Sequence, residues 1–420
     1  MRLHIKGGRV VDPASGRDAV GDVFVAGGQI VEKLDGKAER TIEAKGLVVS
    51  PGFIDLAARL REPGQEYKAT LESEMAAAVA GGVTSLACPP DTDPPLDEPG
   101  LVDMLRRRAK ALTRARVYPV GALTVKLAGE ALTEMAQLAQ TGCVAFSQAN
   151  APLTDTQVLW RALQYAATFR LPVWLRAQDT WLAREGVAHD GEVATRLGLP
   201  AIPAFAETIA LGVLLELVRA TGARVHVCRL SSAGAVRMMQ AAKADGLPVS
   251  CDVGIHHVHL SELDIGYFDT QCRLDPPLRG LQDREALARG LAEGVIDCAV
   301  SDHTPVDEDG KHLPFAEAEP GATGLELLLP LTLKWAAARK LPLAVALARI
   351  TSDPARILGV SSGTLARGAP ADLALFDPAA EYRVSAQALK SQGKNTPFLG
   401  SSLNGRVLYT IVAGNVVYEG

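Results

Sequence analysis

Eight short apolar runs recur through the middle of this chain, and most are followed by a stretch whose apolar residues fall at helical spacing. The runs are 48–56, 84–88, 116–123, 143–147, 172–177, 224–231, 248–253 and 296–301. The helical stretches include 71–80, 101–111, 156–167, 204–220, 235–242, 284–291 and 325–338. A strand, a crossover helix and another strand build parallel sheet, and eight such units in ~300 residues suit a closed (β/α)8 barrel. A doubly wound sheet would alternate in the same way, but its first strand should run into a glycine-rich phosphate turn. Here the first strand ends in Asp55-Leu56-Ala57-Ala58-Arg59, with no such turn. The barrel is the better reading.

The two ends of the chain resemble each other. Residues 3–11 and 22–31 at the start, and 372–376 and 409–418 at the finish, are β-branched runs broken by Gly27-Gly28 or Gly414-Asn415. Such runs read as hairpins, and neither end has strands enough to stand alone. The expected organisation is α/β. Residues 1–50 form the N-terminal part of a small β-domain, 51–358 the (β/α)8 TIM barrel, and 359–420 the C-terminal part of the same β-domain.

Composition removes several function classes. A net charge of −5 supplies no basic footprint for nucleic acid. The most apolar stretch, 324–350, is interrupted by Glu326, Pro330, Lys334, Arg339, Lys340 and Pro342, which suits a buried helix and not a membrane span. Met1 to Lys6 lead directly into a strand-like run, so no signal peptide and a cytoplasmic location are expected. Cys88, Cys143, Cys228, Cys251, Cys272 and Cys298 form no CxxC pair and read as reduced core thiols.

Barrel chemistry sits where strands end. The segments to question are therefore 55–61, 89–93, 148–150, 176–179, 229–232, 252–257 and 301–305. His257 and His259 superficially offer a His-x-His pair, but a hydrogen-bonding role is the simpler reading. His303, beside Asp302, reads as a structural hydrogen-bonding residue. Ser231, Ser232 and Cys228 lie near the mouth without a Gly-x-Ser-x-Gly elbow or a Cys/His pair. Arg106-Arg107-Arg108 reads as the solvated face of a helix.

Several strand ends, taken in order, resemble the dihydroorotases of the cyclic amidohydrolase family. The resemblance is carried by Pro51-Gly52-Phe53-Ile54-Asp55, Leu60-Arg61-Glu62-Pro63-Gly64, Asp275-Pro276-Pro277-Leu278-Arg279, Ser301-Asp302-His303-Thr304-Pro305 and Pro354-Ala355-Arg356-Ile357-Leu358-Gly359. It covers nearly the whole chain and implies a zinc centre held by a His-x-His pair after strand one. A carboxylate after strand four, single histidines after strands five and six, and an aspartate after strand eight would complete that centre. Those places hold Ala57 and Arg59, Gln148, Arg176, Arg229 and Asp302. Only Asp302 keeps a ligand type. Ala57 has no donor atom, and a guanidinium stays protonated and cannot ligate a cation.

The resemblance therefore implies that zinc, the family's cofactor, is not retained here and that no catalytic residue is intact beyond a vestigial Asp302. Zinc lowers the pKa of bound water from about 15.7 to ~7, about 12 kcal/mol of help in making hydroxide. It further implies that Arg61 and the residues at two asparagine positions, here Asp91 and Asp275, hold the substrate carboxylate. Two carboxylates would repel that ligand unless arginines neutralise them. Arg59, Arg176 and Arg229 are expected to replace the missing positive charge beside Asp302, with Asp91 and Asp275 balancing the surplus. Inactive members of the family associate with aspartate carbamoyltransferase, so the implied role is a structural subunit of that enzyme in pyrimidine biosynthesis, within a homo- or hetero-oligomer. A dihydroorotase with a remodelled site is the alternative, and an anion-binding arginine-lined mouth is the third reading.

Overall fold

The computed structural model describes residues 1–420. Eight parallel strands make the central sheet: β1 (Phe53–Asp55), β2 (Val83–Cys88), β3 (Arg116–Ala122), β4 (Ala145–Ser147), β5 (Val173–Leu175), β6 (Val225–Val227), β7 (Val249–Gly254) and β8 (Cys298–Val300). Each pairs in parallel with its sequence neighbour. Because helices cover the outside and side chains fill the inside, the strands are mostly apolar and buried on both faces, without a clean alternation. Every residue of β1, β2, β4, β5, β6 and β8 is buried. Ile54, Val120, Trp174 and Val300 belong to the cluster that plugs the interior. A larger cluster packs the strands' outer faces against the helices.

The barrel closes through residues just past β1 and β8. Ala58 bridges His303 in parallel. The Arg59 amide donates to the His303 carbonyl at 2.9 Å, and the His303 amide to the Ala57 carbonyl at 3.0 Å. The segments carrying Ala57, Arg59 and Asp302 are thereby stitched edge to edge at the barrel mouth.

The run 48–56 is not one strand, as its sequence suggests, but two. Val48–Pro51 belongs to a second eight-stranded sheet, where it pairs in parallel with Leu3–Asp12 and antiparallel with Leu373–Arg383. Both ends of the chain are joined through that strand. The chain changes sheets at Gly52, where a Cβ would lie 2.2 Å from the Thr84 side chain, so only glycine fits. Helices fall close to their sequence positions, for example Leu71–Ala80, Thr156–Phe169 and Phe205–Thr221. The stretch 324–350 carries two separate helices, Leu328–Ala338 and Leu343–Ala348. No helix is long and apolar enough to cross a membrane. An insertion after β5, with the paired strands Ala188–His189 and Ala201–Ile202, is invisible to the periodicity argument because each strand is two residues long.

Asp55, at the end of β1, is fully buried. Its Oδ1 accepts the Ser301 amide at 3.0 Å and the Ala57 amide at 3.3 Å, and the Ser301 hydroxyl donates to Oδ2. Burial nevertheless pushes its carboxyl up to about 6. A carboxyl raised above its unfolded value of about 3.9 binds its proton more tightly in the folded state, so its contribution to stability falls as pH rises from about 4 to 6. Asp55→Asn is expected to remove that part of the slope. Urea unfolding from pH 4 to pH 7 would show it as a stability difference, variant minus wild type, that grows by about 2–3 kcal/mol and levels off above pH 6.

Candidate functional site

At the barrel mouth, three arginines and three aspartates interlock. Arg59 donates from Nε to Asp91 Oδ2 at 2.7 Å and from Nη1 to Thr304 Oγ1 at 3.1 Å, and its Nη1 lies 3.5 Å from Asp302 Oδ1. Arg229 donates from Nη1 to Asp302 Oδ1 and to the Asp275 carbonyl, both at 3.1 Å. Arg176 donates from Nη1 to Asp275 Oδ2 at 2.5 Å and from Nη2 to Gln178 Oε1. Asn150 links the two halves, giving Nδ2–H to Asp275 Oδ2 at 3.0 Å and accepting Arg229 Nη2–H on Oδ1. Asp302, the sole aspartate left from the implied ligand set, therefore has two guanidiniums beside it.

The backbone at these points is unusual. Arg229 and Asp302 have φ of 56° and 47°, and Ala149 has 50°. Non-glycine residues reach that region at a cost of order 1 kcal/mol or more and stay there only when surroundings impose it. At Arg229 the imposing group is Asp252 on β7. Its Oδ1 accepts the Arg229 amide at 2.6 Å, while its Oδ2 bonds His226 Nε2 at 2.9 Å.

Charge and burial act against each other in this cluster. Burial lowers the Arg229 pKa, but Asp302 and Asp275 outweigh it and hold the guanidinium above its ordinary value. Burial raises the Asp91 carboxyl, yet Arg59 brings it below the usual carboxylate range. For Asp275, Arg176 and Arg229 overcome the same upward push. Three guanidiniums thus meet three carboxylates in the cluster.

Not every residue singled out from sequence joins the cluster. Gln148 turns toward the β3 side, accepting Thr124 Oγ1–H at 2.9 Å and donating to the Leu127 carbonyl at 2.8 Å. Arg61 donates to the Pro305 carbonyl at 2.9 Å and to Gln65 Oε1 at 3.0 Å, so it braces a loop. Ala57 lines the mouth without a polar atom to contribute. His257 and His259 do not share a strand; the short 3-10 turn Ile255–Val258 holds His257, and each ring bonds a backbone carbonyl, Pro276 at 3.0 Å and Leu331 at 2.9 Å. His303 bonds Glu74 Oε2 at 2.6 Å, and its Nδ1 accepts the Gly324 amide at 3.1 Å, which puts the ring proton on Nε2. The participants to which sequence reasoning gave no role are Asn150, Thr304, Gln178 and Asp252, although all four lie within the strand-end segments it singled out. Their only signal was position at a strand end.

The donor chemistry does not fit zinc. A structural or catalytic zinc needs three or four imidazole, carboxylate or thiolate atoms with free lone pairs. The six implied ligand places offer a methyl group, the turned-away amide of Gln148, three guanidiniums and one carboxylate already accepting from Arg229, while Asp91 and Asp275 are taken by Arg59 and Arg176. Deeper in the barrel, His226, Cys228 and Asp252 come close enough to share an ion. However, both His226 nitrogens are taken, by Ser250 at 2.8 Å and Asp252, and burial pushes the Cys228 thiol well above its ordinary pKa. Between Ala57, Arg59, Ser147, Arg176, Cys228 and Arg229 lies a cavity of about 30 Å³, and beyond Ala149 and Arg176 a wider pocket of about 330 Å³ is lined by Gln148, Asn150, Gln178 and Trp181. The smaller volume suits one or two waters, whereas the larger reaches the range of pockets for small organic ligands, from about 300 Å³ upward.

A family model described as Dihydro-orotase-like matches residues 46–235. Over its full length the chain is 44% identical to the Dihydroorotase-like protein of Pseudomonas aeruginosa (strain PAO1), with 100% of both chains covered. The chain belongs to the dihydroorotase-like family of cyclic amidohydrolases. It is 43% identical to a Dihydroorotase-like protein of Pseudomonas putida, covering 100% of this chain and 99% of that one. It is also 41% identical to the Dihydroorotase of Geobacter sp. (strain M21), covering 100% of both. Among solved structures, the L-hydantoinase (dihydropyrimidinase) from Arthrobacter aurescens superposes with a TM-score of 0.88 at 24% identity, covering 99% of this chain and 96% of that one. That likeness bears out the (β/α)8 barrel with its mixed sheet.

Proposed function

We propose that this chain is a non-catalytic member of the family that works as a structural subunit for aspartate carbamoyltransferase in pyrimidine biosynthesis, in the cytoplasm and within an oligomer. The observation that carries the loss of catalysis is the Arg229–Asp302 pair at 3.1 Å, with Arg59 beside it, in the place the family gives to metal. Removing a metal while leaving Asp302 buried would strand a negative charge; the arginines supply the counter-charge in its place. A fold kept intact around a neutralised mouth leaves the surface as the place for function, and the partner follows from the family resemblance. Sedimentation of the two purified proteins mixed at micromolar concentration is expected to give one co-migrating species, with the transferase assembling less completely when this chain is omitted. Separate sedimentation would end the partner assignment.

A second reading, an active dihydroorotase with a remodelled site, is favoured by relatives of 41% identity that carry the name Dihydroorotase. Stoichiometric zinc in protein purified without chelator would decide for it.

A further inference from the structure

The cavity left at the mouth has an unusual lining. Of its eleven residues, three are charged, and all three are arginines: Arg59, Arg176 and Arg229. The aspartates that neutralise them attach from outside this lining. Cys228 is kept as a neutral thiol by its burial. The rest of the wall is apolar or, at Ser147, a hydroxyl.

The arginines are not fully used by their protein partners. Arg59 bonds through Nε and Nη1, Arg176 through Nη1 and Nη2, and Arg229 through Nη1 and Nη2. Nη2 of Arg59 and Nε of Arg176 and Arg229 are left as donors without a protein acceptor. A guanidinium carries five N–H donors and is the least strongly hydrated of the protein cations, which makes it the preferred partner for buried anions. The three arginines that supply these donors all line the cavity, and one water there could serve only part of them, since its oxygen offers two lone pairs.

We infer that this cavity is a binding site for one monovalent inorganic anion of about chloride's size. A volume of about 30 Å³ matches a monatomic halide, and it is here, not in the wider pocket beyond Ala149, that all three arginines meet. The site inverts the polarity of the family's centre: where the fold holds a cation, this chain holds an anion. The inference rests on the non-catalytic reading, since zinc and three inward guanidiniums cannot share the space. It goes beyond that reading by giving the vacated centre a ligand, which would tie the integrity of the mouth to anion concentration.

Bromide replaces chloride at such sites and scatters anomalously. Crystals of the full chain grown in sodium bromide are expected to show one anomalous peak inside the mouth, within hydrogen-bonding reach of Arg59, Arg176 and Arg229. In solution, replacing sodium acetate by sodium bromide at constant ionic strength is expected to raise the melting temperature by roughly 1–3 °C and to saturate. Ala57→Val keeps every charge but fills the hole, and is expected to abolish both signals. A cavity holding only water in wild-type crystals, with a flat melting response, would overturn the inference and leave the non-catalytic reading standing. Zinc in the cavity would overturn both. An undiminished bromide peak in Ala57→Val would show that the ion sits elsewhere and would equally overturn the site.

Discussion

Replacing Arg229 by methionine is expected to destabilise the protein by about 3–5 kcal/mol. The guanidinium is nine-tenths or more buried, so its removal does not simply subtract an attraction. It leaves Asp302 Oδ1 with only the longer approach of Arg59 at 3.5 Å, and removes the donor to the Asp275 carbonyl and to Asn150. A carboxylate buried without its partner must either remain charged at high cost or take up a proton. The second substitution is the informative one. Asp302→Leu added to Arg229→Met removes the stranded charge, and replacement of a buried ion pair by apolar residues is often close to neutral. The double variant is therefore expected to recover most of the loss. Urea midpoints at unchanged m-value measure both. A double variant as unstable as the single one would show that Asp302 is not the residue Arg229 serves.

Ring opening of dihydroorotate, and ring closure of carbamoyl aspartate, are expected to proceed with this protein at the rate seen in buffer. Hydroxide formation without metal forgoes about 12 kcal/mol, which at 1.36 kcal/mol per decade is about nine orders of magnitude in rate. Asp302 is not placed to supply that as a general base, because its Oδ1 already accepts from Arg229 and lies 3.5 Å from Arg59. The assay should be run with zinc added and with zinc withheld. Turnover above background that depends on zinc would reverse the reading of the mouth.

The architecture was legible because its determinants are local and repeated. Strand positions such as 84–88 and 116–123, and helices such as Leu71–Ala80, follow from periodicity that any short window displays. The break within 48–56 was legible only in part, as the domain boundary placed at 50/51, while the run itself read as one strand. Both halves are largely apolar, and only the pairing of Val48–Pro51 with the second sheet, with Gly52 packed against Thr84, reveals that the chain changes sheets there. Short pairings such as Ala188–His189 with Ala201–Ile202 lack the length to imprint a period.

At the site, residue identity settled one matter and geometry another. That Ala57, Arg59, Arg176 and Arg229 lack ligand atoms follows from the letters themselves, since a methyl group has no lone pair and a guanidinium does not lose its proton. Which arginine meets which aspartate does not follow, because the partners lie 32 to 99 positions apart in the chain: Arg59 with Asp91, Arg176 with Asp275, Arg229 with Asp302. Nor does the turning away of Gln148 and Arg61, the linking role of Asn150, or the hold of Asp252 on the Arg229 backbone. The sequence by itself determined what this mouth cannot do, because coordination chemistry is a property of single side chains. Only the tertiary structure decided what occupies the metal's place, because an ion-pair network is a property of distances that barrel closure sets.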